Sequence, residues 1–576
     1  MGLKLCYIWV ERYRNFQNLG VNFSSTEKFH FRESTGLLTC EHIDTLPKKF
    51  FENNRIQDVT GIIGKNGTGK SNLLELVCSL LKGGHTGVDT TFLIIVKKNG
   101  NYECHSSVDL SIYVNTKFNI DLLSYQKGIE PLKVIYFSNV FDEREHYFDS
   151  KVSNLSGNYR YKTSRYATKK TSPFVKQLQF VRSSFMDLSE IPYPKDISIS
   201  IKKLNVSQRT RRLIFLSKKS SNEFEENLTE LYQDISRLGP SKEKLQGHIL
   251  FSLILDFASL VQPEFEDSIY PLDLLIGNTE NLFSRIEEVK LTFKSKLARA
   301  KLWQEWLVQS AGILFEWESS NLNIPQNVSK DIKELEGNIK MLERFDEFID
   351  SVPLSVQVEG SRNRKEEKYI IPFRRDTDKL EEKFYNYFDK DSKFVLNWLG
   401  LSSGHKAYLD FFSLLWFELK SIKTENVIIC IDEGDLYLHP KWQADFFYKI
   451  ITLIPKFRGV NFQFVLTSHS PFLVSDLPAE NLVFLTTGES DDRIMVANNT
   501  DLKTFGGNLG ELYIDAFFME GSLISRFAAK KIQEVVDKIN SKDRSITIDD
   551  RKLINLIGED LIRLQIENLI DGSDRG

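Results

Sequence analysis

The spacing of hydrophobic and polar residues predicts strands in the first quarter of the chain and helices through its middle. Alternating or continuous apolar runs predict four early strands, at residues 3–10, 19–23, 92–96 and 134–139. From about residue 150 to about residue 390, apolar residues recur at helical spacing and glycines are few. We therefore expect a strand-rich unit followed by a mainly helical one.

The helical middle contains one short pattern that is typical of a coiled coil. Its heptad spacing extends over a single stretch, formed by Ile332, Leu335, Ile339 and Leu342. Because a seam this short does not support long arms, we expect a compact helical domain or a short hairpin. The charged segment 361–368 is expected to form a hairpin tip that leads into a strand at residues 369–373.

Strands and helices alternate again after residue 390. Apolar runs at residues 427–431 and 462–466 predict buried strands, and the segments 521–539 and 551–570 have the apolar spacing of helices. We expect the apolar faces of these two C-terminal helices to pack against the rest of the protein rather than to remain exposed for a partner. Together the patterns place the chain in the α/β class.

A glycine-rich loop separates the apolar run that ends at Ile63 from a helical pattern that starts at Leu73. It matches the P-loop pattern G-x-x-x-x-G-K-[ST], in which backbone N–H groups and the positive end of the following helix surround nucleotide phosphates. Lys70 would reach the β- and γ-phosphates of ATP, and the Ser71 hydroxyl would bind Mg²⁺. The predicted ATP-binding residues of this loop are Gly64, Asn66, Gly67, Thr68, Gly69, Lys70, Ser71 and Asn72.

The strand predicted at residues 427–431 ends in two consecutive carboxylates, Asp432 and Glu433. This arrangement is typical of a Walker B motif, in which the first carboxylate holds Mg²⁺ and the second orients or deprotonates the attacking water. The next predicted strand ends shortly before His469, which contacts the γ-phosphate in the ABC arrangement. We therefore predict Lys70, Glu433 and His469 as catalytic residues, and Ser71 and Asp432 as the Mg²⁺ ligands.

A serine-rich segment before the Walker B motif resembles the signature of ABC-type ATPases. Its residues are Ser402, Ser403 and Gly404. In that family the signature closes over the γ-phosphate of a nucleotide held by a second subunit. The order of signature, Walker B motif and histidine excludes the simpler RecA-like layout. The resemblance implies a head-to-head homodimer or a higher homo-oligomer, which ATP binding closes and hydrolysis opens.

The resemblance to an ABC-type ATPase head also implies a division of the chain. The head would be a P-loop NTPase split into two lobes, with a mainly helical insertion between them and a helical C-terminal tail. The expected domains are a first lobe with the Walker A motif at residues 1–142, the insertion with its basic segments at 143–390, a second lobe with signature, Walker B motif and histidine loop at 391–500, and a helical C-terminal region at 501–576.

Longer phrases resemble the ATPase components of Septu-type bacterial antiphage systems, including those of some retrons, within the wider OLD and RecF-like ABC ATPase group. They are YFSN at residues 136–139, FVKQLQFV at 174–181, WLGLSSG at 398–404, IDEGDLYLHP at 431–440, TSHSPF at 467–472 and TFGGN at 504–508. This resemblance implies a slow, regulated ATPase that controls a separate effector, such as an HNH nuclease or a retron complex.

The chain departs from the ABC pattern at three positions. Where the Q-loop glutamine is expected after the strand near residue 135, the residues are Ser138 and Asn139. The signature continues with His405 in place of glutamine or glutamate, and His439 stands where many ABC proteins keep the D-loop aspartate. We expect hydrolysis to survive these changes, because the signature serine and glycine are present, while coupling between the subunits follows a different route.

Composition and charge are those of a cytoplasmic globular protein. The 576 residues include 41% hydrophobic and 27% charged residues, which leaves room for several domains. No stretch approaches the roughly 18 apolar residues of a membrane span, and the first residues lack the layout of a signal peptide. Five scattered cysteines without C-x-x-C spacing fit a reducing compartment and no zinc site.

Nucleic-acid contact is predicted only locally, because the net charge of −4 gives no overall attraction to it. The segment from Lys151 to Arg182 contains lysines, arginines and interleaved tyrosines but no acidic residue, and a second basic cluster lies at residues 209–219. Such a segment is typical of a solvated loop, of a surface for DNA or RNA, or of a site for the acidic face of a partner protein.

No nuclease centre is identified in the sequence. A histidine-rich HNH pattern is absent, and the acidic pairs at residues 491–492 and 549–550 lack the layout of a Toprim domain, so we expect them in solvated turns. Three functions remain open. The chain is an ATPase that controls a partner nuclease in antiphage defence, a RecF-like repair ATPase that acts directly on DNA, or a nuclease of the OLD type, which the missing Toprim acids disfavour.

Overall fold

The computed structural model describes most of the chain, in ranges separated by short gaps. The ranges are residues 2–47, 50–51, 53–82, 88, 90–108, 115–140, 148, 151–158, 173–202, 223–261, 272–291, 296–320, 324–361, 364–376, 379–391, 393–487, 493–497, 502–515, 525–540 and 546–573. The basic cluster at 209–219 and the acidic pair at 491–492 lie outside these ranges, as do residues 159–172 of the predicted basic segment.

Both strands and helices are abundant, which confirms the α/β class. The strands are β1 (Leu3–Tyr13), β2 (Phe16–Asn22), β3 (Glu27–Arg32), β4 (Leu37–His42), β5 (Ile56–Gly64), β6 (Phe92–Lys98), β7 (Asn101–Ser106), β8 (Asn115–Thr116), β9 (Asp121–Ser124), β10 (Lys133–Ser138), β11 (Val152–Asn154), β12 (Asp196–Ile201), β13 (Ser355–Ser361), β14 (Arg364–Pro372), β15 (Phe394–Leu399), β16 (Asn426–Asp432), β17 (Asn461–Thr467), β18 (Leu482–Thr487) and β19 (Ile494–Ala497).

The α-helices lie mainly between β11 and β15 and after β15. They are α1 (Lys70–Lys82), α2 (Pro173–Arg182), α3 (Ser184–Leu188), α4 (Glu223–Ser236), α5 (Lys242–Leu260), α6 (Leu272–Leu291), α7 (Lys296–Ser320), α8 (Gln326–Glu343), α9 (Phe345–Ser351), α10 (Lys379–Lys390), α11 (Ser403–Leu419), α12 (Pro440–Leu453), α13 (Pro471–Asp476), α14 (Leu509–Asp515), α15 (Arg526–Asn540), α16 (Ile548–Asn555) and α17 (Asp560–Ser573). Among the helices in the described ranges, none is both long enough and apolar enough to cross a membrane.

A seven-stranded sheet forms the centre, in the order β11-β10-β16-β17-β5-β18-β19. Its strands are parallel except β19, which runs antiparallel to β18. Successive residues of β16 alternate between two hydrophobic clusters, because side chains of a strand point to opposite faces. Ile429 belongs to the cluster on one face, and Ile428 and Cys430 belong to the cluster on the other. The sheet is therefore covered on both faces, as is usual for parallel strands.

Helix α1 packs between the central sheet and a second sheet. The second sheet has five strands in the order β2-β1-β6-β7-β9. Leu5 of β1, Leu74 of α1 and Val465 of β17 share one hydrophobic cluster. The side-chain amide of Gln463 donates to the Leu5 carbonyl and accepts from the Leu5 N–H, both at 2.8 Å, so it joins β17 to β1. The shared hydrophobic cluster packs α1 against the central sheet.

The middle of the chain is not wholly helical. β12, β13, β14 and β15 form an antiparallel sheet in the order β13-β14-β12-β15, and the periodicity did not predict β12 or β13. The predicted heptad residues Ile332, Leu335 and Ile339 lie on α8 and are buried in the largest hydrophobic cluster. The last strand, β15, leads directly to the serine-rich segment before α11.

The C-terminal helices α15, α16 and α17 share a small hydrophobic cluster of their own, which includes Val535, Ile554 and Ile566. The prediction of a solvated turn at residues 549–550 is wrong for Asp550. Its carboxylate accepts from the N–H of Thr547 at 2.9 Å and forms a capping box at the start of α16, and the residue is 6% exposed. A helix start explains this acidic residue, since carboxylates there satisfy free N–H groups.

A buried ion cluster joins three of the sheets. Lys4 of β1 donates to Glu27 of β3 at 2.8 Å and lies 3.5 Å from Asp58 of β5, and Lys97 of β6 contacts the other oxygen of Glu27 at 2.6 Å. Burial acts to raise the pKa of Glu27, but Lys4, Lys97 and Ser24 outweigh it, so the pKa lies well below its ordinary value. Burial raises the pKa of Asp58, whose carboxylate lies farther from the Lys4 ammonium group than that of Glu27 does.

Replacing Glu27 with alanine should lower the free energy of unfolding by about 3 kcal/mol, because it leaves the buried ammonium group of Lys4 without its closest carboxylate partner. Because the pKa of Glu27 is lowered in the folded state, its contribution is present above its ordinary value of 4.5 and decreases as the pH falls below it. Urea unfolding at pH 7 and pH 4 measures both effects. Glu347→Ala, which breaks an exposed pair with Arg344, is the control and should change stability little; equal losses in the two variants would contradict the prediction.

Candidate functional site

The predicted P-loop connects the end of β5 to the start of α1. Gly67 and Gly69 have φ angles of 84° and 82°, a left-handed conformation that favours glycine. At Gly64 the reason for glycine is space, since a Cβ atom there would lie 2.4 Å from the carbonyl oxygen of Leu485 on β18. Lys65 and Asn66 are exposed, so the loop presents its middle to solvent.

Lys70, the first residue of α1, folds back under this loop. Its ammonium group donates to the carbonyl oxygens of Gly64 at 3.0 Å and Lys65 at 3.3 Å, and the residue is 6% exposed. Burial lowers the pKa of Lys70 to about 8, although Glu433 and Asp432 act in the opposite direction. The acceptors of the Lys70 ammonium group are neutral carbonyl oxygens. An anion, which binds an ammonium group more strongly, can replace them.

Asp432, the last residue of β16, is surrounded by hydroxyl groups. One carboxylate oxygen accepts from Thr467 at 2.7 Å and from Ser71 at 3.0 Å, and the other accepts from Tyr136 and Ser138, each at 3.3 Å. Burial raises the pKa of Asp432, although these hydrogen bonds oppose the shift. Ser71 and Asp432 therefore meet at one edge of the central sheet, although more than three hundred residues separate them in the sequence.

Glu433 lies beside Asp432 and points toward the predicted histidine. Nε2 of His469 is 3.4 Å from a carboxylate oxygen of Glu433. The backbone of Glu433 has a φ angle of 47°, which is uncommon for a residue with a side chain. The sheet thus brings five of the predicted residues together at the P-loop edge, namely Lys70, Ser71, Asp432, Glu433 and His469.

The predicted signature lies at the start of α11. The Ser402 hydroxyl accepts from the N–H of His405 and caps the helix, while Ser403 is exposed. At Gly404 a Cβ atom would lie 1.9 Å from the ring of Trp442, so only glycine fits. The His405 ring stacks on the same indole, with 4.4 Å between ring centroids. His405 therefore packs against α12 in place of the usual polar residue.

The segment after Glu433 is held to the histidine loop and to β10. Ser468 donates to the buried carboxylate of Asp435 at 2.6 Å, and the side-chain amide of Asn139 donates to the carbonyl of Gly434 at 2.9 Å. Tyr437 is 73% exposed and has a φ angle of 69°. The predicted departure at His439 has a local explanation, because its ring accepts from the N–H of Lys441 and caps α12.

The turn between β1 and β2 lies against the P-loop helix α1 and was not predicted as part of the site. Arg14 donates to the Asn72 side chain at 2.6 Å and pairs with Glu75 at 2.6 Å, and the Asn72 amide donates to Asn15 at 3.1 Å. The polar run between the first two predicted strands can be read from the sequence, but no local spacing predicts its contact with α1. Asn72 therefore contacts this turn, and its role in binding ATP stays a prediction.

Three basic residues at the described ends of the predicted basic segment have different surroundings. Lys176 lies over the ring of Phe417, with 4.7 Å between its ammonium nitrogen and the ring centroid. Arg182 is half-buried and lies 3.9 Å from Glu381. Lys151 is exposed. Contact with nucleic acid through this segment stays a prediction.

Comparison with known families identifies the class of protein that this fold and site define. A family model described as an AAA ATPase domain matches residues 4–474, and the chain belongs to this family. The match extends from β1 to α13 and includes the P-loop, the signature segment, the consecutive carboxylates and the histidine loop.

Three relatives are named as retron ATPases or as a Septu protein. The chain is 22% identical over 246 residues to the retron Ec83 probable ATPase of Escherichia coli. This match covers 34% of this chain and 44% of the relative. It is 34% identical over 84 residues to the retron Vc95 probable ATPase of Vibrio cholerae serotype O1 biovar El Tor, covering 15% of each. It is 35% identical over 101 residues to the Septu protein PtuA of Bacillus thuringiensis, covering 16% and 24%. These matches span less than half the length of each relative.

Proposed function

We propose that this protein is an ATPase that binds ATP between two copies of the chain and controls a partner effector nuclease in antiphage defence. The observation that carries the proposal is the meeting of the P-loop with the consecutive carboxylates, through the 3.0 Å hydrogen bond from Ser71 to Asp432. Family membership supports the ATPase activity, and the names of the relatives support the defence setting.

The residues at this edge of the sheet fit a Mg²⁺ ion. The ion prefers oxygen ligands, and the Ser71 hydroxyl and the Asp432 carboxylate supply them at one point. Bound there with ATP, the ion would neutralise charge on the β- and γ-phosphates. The surrounding hydroxyl groups of Thr467, Tyr136 and Ser138 would keep the carboxylate in one orientation.

Hydrolysis would rest on positioning by residues of both copies. The Lys70 ammonium group would exchange its carbonyl acceptors for phosphate oxygens, and the N–H groups of the loop would surround the phosphates. Glu433 would orient the attacking water, with His469 beside it. Ser403 and Gly404 of the second copy would close over the γ-phosphate, since the signature of one copy acts on the nucleotide of the other.

The partner is tested by native mass spectrometry of the protein purified together with the products of its neighbouring genes, with and without ATP. We expect an assembly that contains a second, nuclease-like chain and changes its stoichiometry with nucleotide, and we expect Glu433→Gln to hold the ATP-bound assembly. A homodimer that retains only DNA would contradict the defence proposal and favour a repair ATPase that acts directly on DNA.

A further inference from the structure

One buried hydroxyl group contacts both of the consecutive carboxylate residues. Thr467 is the last residue of β17 and is 2% exposed. Its hydroxyl donates to a carboxylate oxygen of Asp432 at 2.7 Å and accepts from the backbone N–H of Glu433 at 3.0 Å. A threonine hydroxyl has one proton to donate and can accept in addition, so both contacts are made at once.

These two contacts act on different parts of the site. At Asp432 the hydroxyl fixes one carboxylate oxygen, while Tyr136 and Ser138 fix the other, so the plane of the carboxylate is set from both sides. At Glu433 it holds a backbone with a φ angle of 47°, a conformation that is unfavourable for a residue with a side chain. The Glu433 N–H is also 3.2 Å from the Thr467 carbonyl, so Thr467 supports this conformation twice.

We infer that the Thr467 hydroxyl is a positioning group for ATP hydrolysis, which sets the orientation of Asp432 and of Glu433 relative to each other; the inference rests on the proposed ATPase function. Without the hydroxyl, the backbone at Glu433 loses one of its two acceptors and the Asp432 carboxylate loses its shortest hydrogen bond. The attacking water would then be less well aligned, whereas the P-loop contacts to ATP would remain.

Steady-state ATP hydrolysis by the full chain tests the inference with three variants. Thr467→Val replaces the hydroxyl with a methyl group and should lower kcat about 10- to 100-fold, the usual cost of removing a group that orients a metal ligand, while KM for ATP changes less than about threefold. Thr467→Ser keeps the hydroxyl and should retain kcat within about threefold. Thr60→Val is the matched control, because Thr60 is also buried in the central sheet and its hydroxyl donates to the Phe23 carbonyl at 3.2 Å.

The outcomes separate this inference from the proposed function. A wild-type chain that does not hydrolyse ATP overturns both. A hydrolysing wild type with an unchanged kcat in Thr467→Val, or with equal losses in Thr467→Val and Thr60→Val, overturns the inference alone. Loss of kcat in Thr467→Ser to the level of Thr467→Val also overturns it. If Thr467→Val does not fold, Thr467→Ala removes the same hydroxyl with less crowding, and the same comparison applies.

Discussion

Replacing Glu433 with glutamine should lower the rate of ATP hydrolysis by about 10²- to 10⁴-fold, because the amide has no charge with which to orient or deprotonate water. ATP binding should be retained, since Lys70 and the P-loop are unchanged. Glutamine also preserves the size of the side chain, so the left-handed backbone at residue 433 and its hydrogen bonds to Thr467 should persist. Phosphate release and binding of labelled ATP measure the two effects separately.

Glu425→Gln provides the matched control for this variant. Glu425 is exposed and immediately precedes Asn426, the first residue of β16, whereas Glu433 follows its last residue, so the two carboxylates flank opposite ends of one strand. The control should hydrolyse ATP at the wild-type rate. Full hydrolysis by Glu433→Gln would contradict the assignment of Glu433, and loss of ATP binding in that variant would indicate damage to the P-loop edge.

Mixing two inactive variants should restore part of the activity if the signature acts on the nucleotide of the other copy. Lys70→Ala removes the P-loop ammonium group, and Ser403→Arg places a bulky side chain at the exposed start of α11. Each variant alone should lose more than about 90% of hydrolysis, since each removes one half of both sites in a symmetric dimer. In a mixed dimer, one site combines the intact P-loop of one copy with the intact signature of the other.

Random exchange of subunits at equal amounts should recover about one quarter of the wild-type rate, because half of the dimers are mixed and each has one of two sites intact. Refolding or co-expression followed by phosphate release measures the recovery. Mixing Lys70→Ala with the double variant Lys70→Ala/Ser403→Arg is the control and should recover nothing, since no P-loop retains its lysine. No recovery in the first mixture, with mixed dimers shown by mass spectrometry, would contradict the head-to-head arrangement.

The sequence predicted those parts of the fold that local pattern determines. The alternation in the first residues anticipated β1, and the apolar run before Asp432 anticipated β16, because a strand buried on both faces reads as a continuous apolar segment. The P-loop also has a local cause, since its glycines are required by backbone conformation and close packing. The meeting of Ser71 with Asp432 followed from the order of motifs and was found in the structure.

Contacts between distant segments could not be predicted in the same way. In the sequence, Asp550 resembles a residue of a solvated turn. Only the structure shows that α16 starts there and that the Asp550 carboxylate caps it. Arg14 lies in a turn whose neighbour α1 is far away in sequence, so no spacing identified their contact. Thr467 stands two positions before the predicted His469, but a hydroxyl at the end of a strand becomes informative only when its two partners are known.

The position of β5 in the central sheet has a consequence for the order in which the protein can fold during synthesis. β5 carries the P-loop and is made early, yet both of its neighbours, β17 and β18, follow in the chain only after residue 460. Pairings between such distant segments form slowly, and the unpaired strand edge is exposed to aggregation until they form. A nascent chain on the ribosome therefore carries the complete P-loop sequence long before it has the sheet that supports it, and during this interval we expect the unpaired edge of β5 to be most exposed to aggregation.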